Sequence, residues 1–84
     1  MVIRDAHSLG IGLRAARLKA GLTQAELAER SGVSRRTIIN VENGHSAGEI
    51  GRIITIARAL GLVMVLEEAS NTGDVGIDLK WGDL

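Results

Sequence analysis

The chain is cut into short lengths by glycines, each followed two residues later by a hydroxyl side chain: Gly21 and Thr23, Gly32 and Ser34, Gly44 and Ser46. Glycine just past a helix end enters the left-handed backbone region freely. Ser or Thr just before a helix accepts from first-turn N–H groups that have no partner within the helix. Thr23 with Glu26, and Ser46 with Glu49, complete S/T-x-x-E capping boxes. This punctuation predicts helices over about 24–31, 35–43 and 47–60, the last closed by Gly61. An earlier helix over about 9–20 starts after Ser8, with Leu9, Leu13, Ala16 and Ala20 on one face and Gly10 and Gly12 weakening its first turn. In the last helix Ile50, Ile53, Ile54, Ala57 and Leu60 form the expected apolar stripe.

Two short helices joined by a glycine-containing turn of three or four residues make a helix-turn-helix unit. Helical phase decides what its second helix offers. Ile38 and Val41 fall together and point to the core, while Arg36, Asn40 and Asn43 fall on the opposite side. Arg35 and Thr37 sit near the helix start, Ile39 borders the polar side, and Glu42 takes the flank nearest the core. Arg can fork onto guanine O6 and N7, and Asn can bond adenine N6 and N7, so the outward face carries base-edge chemistry.

The 84 residues suffice for one domain. Without cysteine there is no disulfide framework, thiolate metal site or cysteine nucleophile. Formal net charge is zero, yet residues 1–60 carry nine Arg/Lys against five Asp/Glu, and residues 61–84 one Lys against five acids. A basic body followed by an acidic tail is compatible with a polyanionic partner for the first part. The longest apolar run, Leu60–Leu66, is too short to span a bilayer, and the N-terminus lacks a signal-peptide pattern, so a cytoplasmic, nucleoid-associated location is expected. A Gly-rich phosphate loop, a metal cluster and a nucleophile with a base are all missing from the pattern, so no enzyme activity and no cofactor are expected.

Gly21-Leu22-Thr23-Gln24-Ala25-Glu26-Leu27-Ala28, Ser31-Gly32-Val33-Ser34, Thr37-Ile38, Glu42-Asn43-Gly44 and Ile56-Ala57-Arg58-Ala59-Leu60-Gly61 together resemble the Xre/Cro-type phage-repressor helix-turn-helix family. The resemblance covers about residues 9–61. It implies a mainly α, four-to-five-helix lambda-repressor-like domain that lays its third helix in a DNA major groove. It further implies that Arg17 pairs with Glu42 and that Gln24 grips a backbone phosphate. By the same analogy Arg14, Asn43, His45 and Ser46 contact phosphate, while Arg35, Arg36 and Asn40 read bases. Thr37 is then a phosphate or thymine-methyl contact. Ile39 departs from the usual polar residue and is left to a thymine methyl or a neighbouring subunit.

The apolar run Leu62-Val63-Met64-Val65-Leu66 reads as a buried strand. No second strand is evident, so the same strand of another copy is its expected partner; closure of the core within one chain is the alternative. A strand directly after Leu60-Gly61 is similar to the HipB-like antitoxin branch, whose chains pair by C-terminal strands. That resemblance implies a homodimer on a palindromic double-stranded operator and a HipA-like kinase toxin as protein partner. The expected division is a helix-turn-helix and dimerisation domain over residues 1–68 and an acidic mobile tail over 69–84. Trp81, the single aromatic residue, is either idle, folded back, or an anchor for that partner. A stand-alone phage-type or controller-type regulator is the competing function, and an adaptor without DNA readout a third.

Overall fold

The structure is a computed structural model and describes residues 1–45, 50–69 and 77–81. A two-residue strand, β1 (Val2–Ile3), leads into α1 (Ala6–Lys19). α2 (Gln24–Ser31), α3 (Arg35–Glu42) and α4 (Ile50–Ala59) follow, and then β2 (Leu62–Leu66) and β3 (Ile77–Trp81). The mainly α helix-turn-helix architecture expected from the sequence is present, with a strand directly after the last helix.

Local chemistry sets most of the helix limits. The Thr23 hydroxyl accepts from the Glu26 N–H at 3.0 Å, and the Glu26 carboxylate accepts from the Thr23 N–H at 3.0 Å. The Ser34 hydroxyl accepts from the Thr37 N–H at 3.1 Å. Gly21, Gly32, Gly44 and Gly61 all have positive φ near 70°, the conformation in which a Cβ is strained. The first helix starts three residues before the expected position. Its N-cap is Asp5, whose carboxylate accepts from the Ser8 N–H at 2.7 Å, while the Ser8 hydroxyl accepts from the Asp5 N–H at 3.1 Å. Ser8 thus reciprocates a cap instead of being one.

Gly10 has a use that propensity alone does not reveal. A Cβ built there would lie 2.4 Å from the Val41 carbonyl oxygen and 2.6 Å from that of Glu42. The absence of a side chain lets α1 lie against the end of α3.

The core joins Leu9, Leu13 and Ala16 of α1, Leu27 and Ala28 of α2, and Ile38 and Val41 of α3. Ile53, Ile56 and Ala57 of α4, with Ile3, Leu22, Leu60 and Leu62, complete it. The α4 stripe therefore differs from the expected one: Ile56 is buried, while Ile50 and Ile54 are exposed. Four isoleucines within seven residues satisfy a helical period in two phases, and only packing against α2 and β2 selects between them. The expected Ser46–Glu49 cap lies outside the described residues.

The sheet corrects the expectation for the C-terminal part. Its order is β1-β3-β2, with both pairings antiparallel. β2 is paired within the chain, Leu62 opposite Trp81 and Leu66 opposite Ile77, and β3 also takes β1, Val2 opposite Asp78. Residues 77–81 are thus the central strand and not part of a mobile tail. The rest of the expected tail, 70–76 and 82–84, lies outside the described residues. An apolar strand such as β2 cannot leave both edges unpaired. The sequence Ile77-Asp78-Leu79-Lys80-Trp81 alternates apolar and polar residues with the strand period of two.

Candidate nucleic-acid interface

α3 turns Ile38, Val41 and Glu42 inward and leaves one side open. Ile38 and Val41 are 1 % and 4 % exposed. On the other side Arg35, Arg36, Asn40 and Asn43 are exposed, and Thr37 and Ile39 are half-buried. Thr37 is tied to the helix start, its Oγ1 2.9 Å from the Ser34 Oγ. The only acid of α3, Glu42, turns inward and is buried, so the open face of the helix carries two guanidiniums and amides but no carboxylate.

Glu42 organises the base of the unit. The Arg17 Nε donates to Glu42 Oε2 at 2.6 Å, and its Nη2 donates to Oε1 at 3.0 Å. The third guanidinium nitrogen donates to the Leu22 carbonyl at 2.9 Å. The hydrogen bonds that Arg17 donates to Glu42 hold its proton more tightly than in a free guanidinium. The Gln24 Nε2 donates to the same Glu42 Oε1 at 3.2 Å. One carboxylate therefore joins α1, the start of α2 and the end of α3, and it orients the Gln24 amide. Every buried side-chain nitrogen and oxygen among the described residues has a hydrogen-bond partner.

Beside this cluster runs an open groove of about 630 Å³, lined from α1 by His7, Ile11, Arg14, Ala15 and Leu18 and from the other helices by Gln24, Glu42 and Asn43. The structure thus brings together three of the expected phosphate contacts, Arg14, Gln24 and Asn43. His45 is exposed beyond the end of α3, its N–H bonded to the Asn40 carbonyl at 2.9 Å. Ser46 lies outside the described residues. Arg35 is set apart from Arg36 and Asn40: it lines a second hollow of about 430 Å³ with Arg17, Thr23, Gln24 and Ala25. His7 was missed by the sequence reading, although it stands seven residues, two helical turns, before Arg14.

The family model described as helix-turn-helix matches residues 13–63. The chain belongs to this helix-turn-helix family, of the Xre type. An uncharacterised HTH-type transcriptional regulator of Methanothermobacter thermautotrophicus is 51% identical over 49 residues, which cover 58% of this chain and 71% of that protein. Among solved structures, the restriction-modification controller protein C.AhdI from Aeromonas hydrophila is 36% identical, with a TM-score of 0.63 over 67% of this chain and 81% of that one. HipB in complex with an O4 20mer is 31% identical, with a TM-score of 0.74 over 81% of this chain and 96% of that one. HipB in a HipA–HipB–O2–O3 complex is 29% identical, with the same TM-score and coverage. Within this helix-turn-helix unit, α3 turns Ile38 and Val41 into the core and leaves Arg36 and Asn40 open. Among the described residues no helix is long and apolar enough to cross a membrane, and no group of His, Asp and Glu has a metal-holding arrangement.

Proposed function

We propose that the protein is a sequence-specific DNA-binding transcriptional repressor that acts as a homodimer on a palindromic operator. The observation that carries this reading is the division of α3, with Ile38 and Val41 buried and Arg36 and Asn40 open on the opposite side. A helix so anchored presents its polar side chains at a fixed depth to a major groove. In this reading Arg36 and Asn40 choose bases, with Thr37 at the helix start. Arg35, from the hollow it shares with Gln24, reaches either the adjacent base or the phosphate. Arg14, Gln24 and Asn43 along the groove, with His45 and Ser46 beyond it, set register on the backbone. Two copies of α3 sit one helical turn apart, roughly 34–36 Å. β2 supports the dimer, because its pairing with β3 uses one edge and leaves the other at the margin of the sheet among the described residues.

The likeness to HipB extends over more of this chain than the likeness to the controller protein. It supports an antitoxin of a HipBA-like pair that represses its own operon and binds a HipA-like kinase toxin, with Trp81 as the anchor. The higher identity to the controller protein supports a second reading, a regulator with no toxin partner. Co-purification with the products of neighbouring genes separates the two: a kinase that co-elutes, and is lost with Trp81→Ala, supports the first, and its absence the second. Replacement serves better than deletion of the tail, which would remove the central strand. For DNA reading itself, Arg36→Ala and Asn40→Ala should each cost about 1–3 kcal/mol on the operator found by footprinting upstream DNA, and relax the choice of base at one position. Equal losses on operator and random duplex would refute base reading by these residues.

A further inference from the structure

His7 was not part of the expected site, yet it is built into the same groove. Its backbone lies close against the turn that leaves α3: a Cβ on Gly44, where φ is +73°, would stand 3.0 Å from the His7 Cα. Its side chain lines the groove with Arg14, Gln24 and Asn43 and is exposed to solvent. A spacing of seven residues puts it on the same face of α1 as Arg14, so the two follow the groove in line, about 10 Å apart along the helix axis. The charged and titratable groups around it are Arg4 and Asp5 on its own segment, Arg14 on α1, Glu42 at the end of α3, and His45 beside Gly44. Asp5 is held below the usual carboxylate range, mainly by its hydrogen bonds from Ser8 and in lesser part by His7. Glu42 is taken by Arg17 and Gln24. Neither acid is therefore the strong partner that a charged imidazole here would take. A polyanion seated along Arg14, Gln24 and Asn43 would be.

We infer that His7 is a further phosphate contact, engaged in its protonated form, which makes DNA affinity rise as pH falls from 8 to 6. The inference rests on the DNA-binding reading above. An imidazolium is a cation with two N–H donors, whereas neutral imidazole has one donor and no charge. Imidazole is also the side-chain type that changes charge in this pH range. Each phosphate neutralised by a cation releases counterion and adds about 0.9 to the slope of log affinity against log salt. That slope separates a charge contact from a merely structural role, which would change affinity at all salt concentrations alike.

The test is fluorescence anisotropy of the full chain on a labelled duplex containing its footprinted site, with salt titrated at pH 8 and at pH 6. The wild type should show a slope steeper at pH 6 by about 0.9 for each His7 engaged. His7→Gln should have one slope at both pH values, and His7→Arg the steep slope at both. His45→Gln, which removes a backbone contact of its own, should lower affinity but keep the steepening of the slope between pH 8 and pH 6. Melting curves of the variants confirm that each is folded. Binding with a slope that does not change with pH, or a change that survives His7→Gln, overturns the His7 contact and leaves the DNA reading standing. A change lost with His45→Gln and kept with His7→Gln assigns the effect to His45 and likewise overturns it. Absence of binding to any duplex at low salt overturns both.

Discussion

At the residue scale the molecule depends most on Glu42. Its carboxylate is out of water and is met by two nitrogens of Arg17 and one of Gln24. A buried ion pair contributes little beyond a well-packed apolar pair, but removing one partner strands the other charge at a cost of about 3–5 kcal/mol. Glu42→Ala should therefore lose that much in urea unfolding, a large part of the stability of a small domain. Glu42→Gln, which keeps an acceptor for Arg17, should lose less. A loss below about 1 kcal/mol for Glu42→Ala would mean that Arg17 finds water, and that the pair does not fix α1 to α3. The likeness to known repressors pointed to Arg17 and Glu42 as partners; their distances, and the recruitment of Gln24 and the Leu22 carbonyl, come only from the fold.

At the element scale the helix starts carry a pH dependence of their own. The Asp5 and Glu26 carboxyls are held below their ordinary values of 3.8 and 4.5, chiefly by hydrogen bonds from Ser8 and Thr23 respectively. A group whose folded pKa is depressed stabilises the fold above its unfolded pKa and loses that contribution as pH falls through the folded value. The caps of α1 and α2 should thus be intact at pH 6 and weaken below about 3.8 and 4.5 respectively. Thermal melts from pH 6 to pH 2.5 should show stability falling in that window. The fall should be smaller in a chain carrying Asp5→Asn and Glu26→Gln, which keep hydrogen-bonding side chains that do not titrate. An undiminished fall would place the acid sensitivity elsewhere. Arg17 works in the opposite sense: its raised pKa gives stability that is present below its unfolded value and lost only at extreme alkaline pH. Helix ends were legible because Thr23, Glu26, Ser34 and the glycines act on neighbours a few residues away. The start of α1 was misread because Asp5 and Ser8 both fit a cap, and their reciprocal bonding decides which is which.

At the scale of the whole molecule, the N-terminus and the C-terminal part meet in one sheet, with β3 between β1 and β2. Deleting residues 70–84 should unpair both β1 and β2 and lower the melting temperature by at least about 4–8 °C, the shift that 1 kcal/mol produces in a domain of this size. An unchanged melting temperature would mean that β3 adds nothing to the body. The amino-acid order by itself determined the helix-turn-helix unit, because caps, glycine turns and the phase of Ile38 against Arg36 are local properties of a few adjacent residues. It did not determine which isoleucines of α4 go inside, which strand takes β2, or that His7 joins Arg14 beside Gln24 and Asn43. Those were decided by tertiary structure, since each depends on surfaces brought together from distant parts of the chain. Local sequence leaves several such pairings nearly equal, and burial of the shared core selects one.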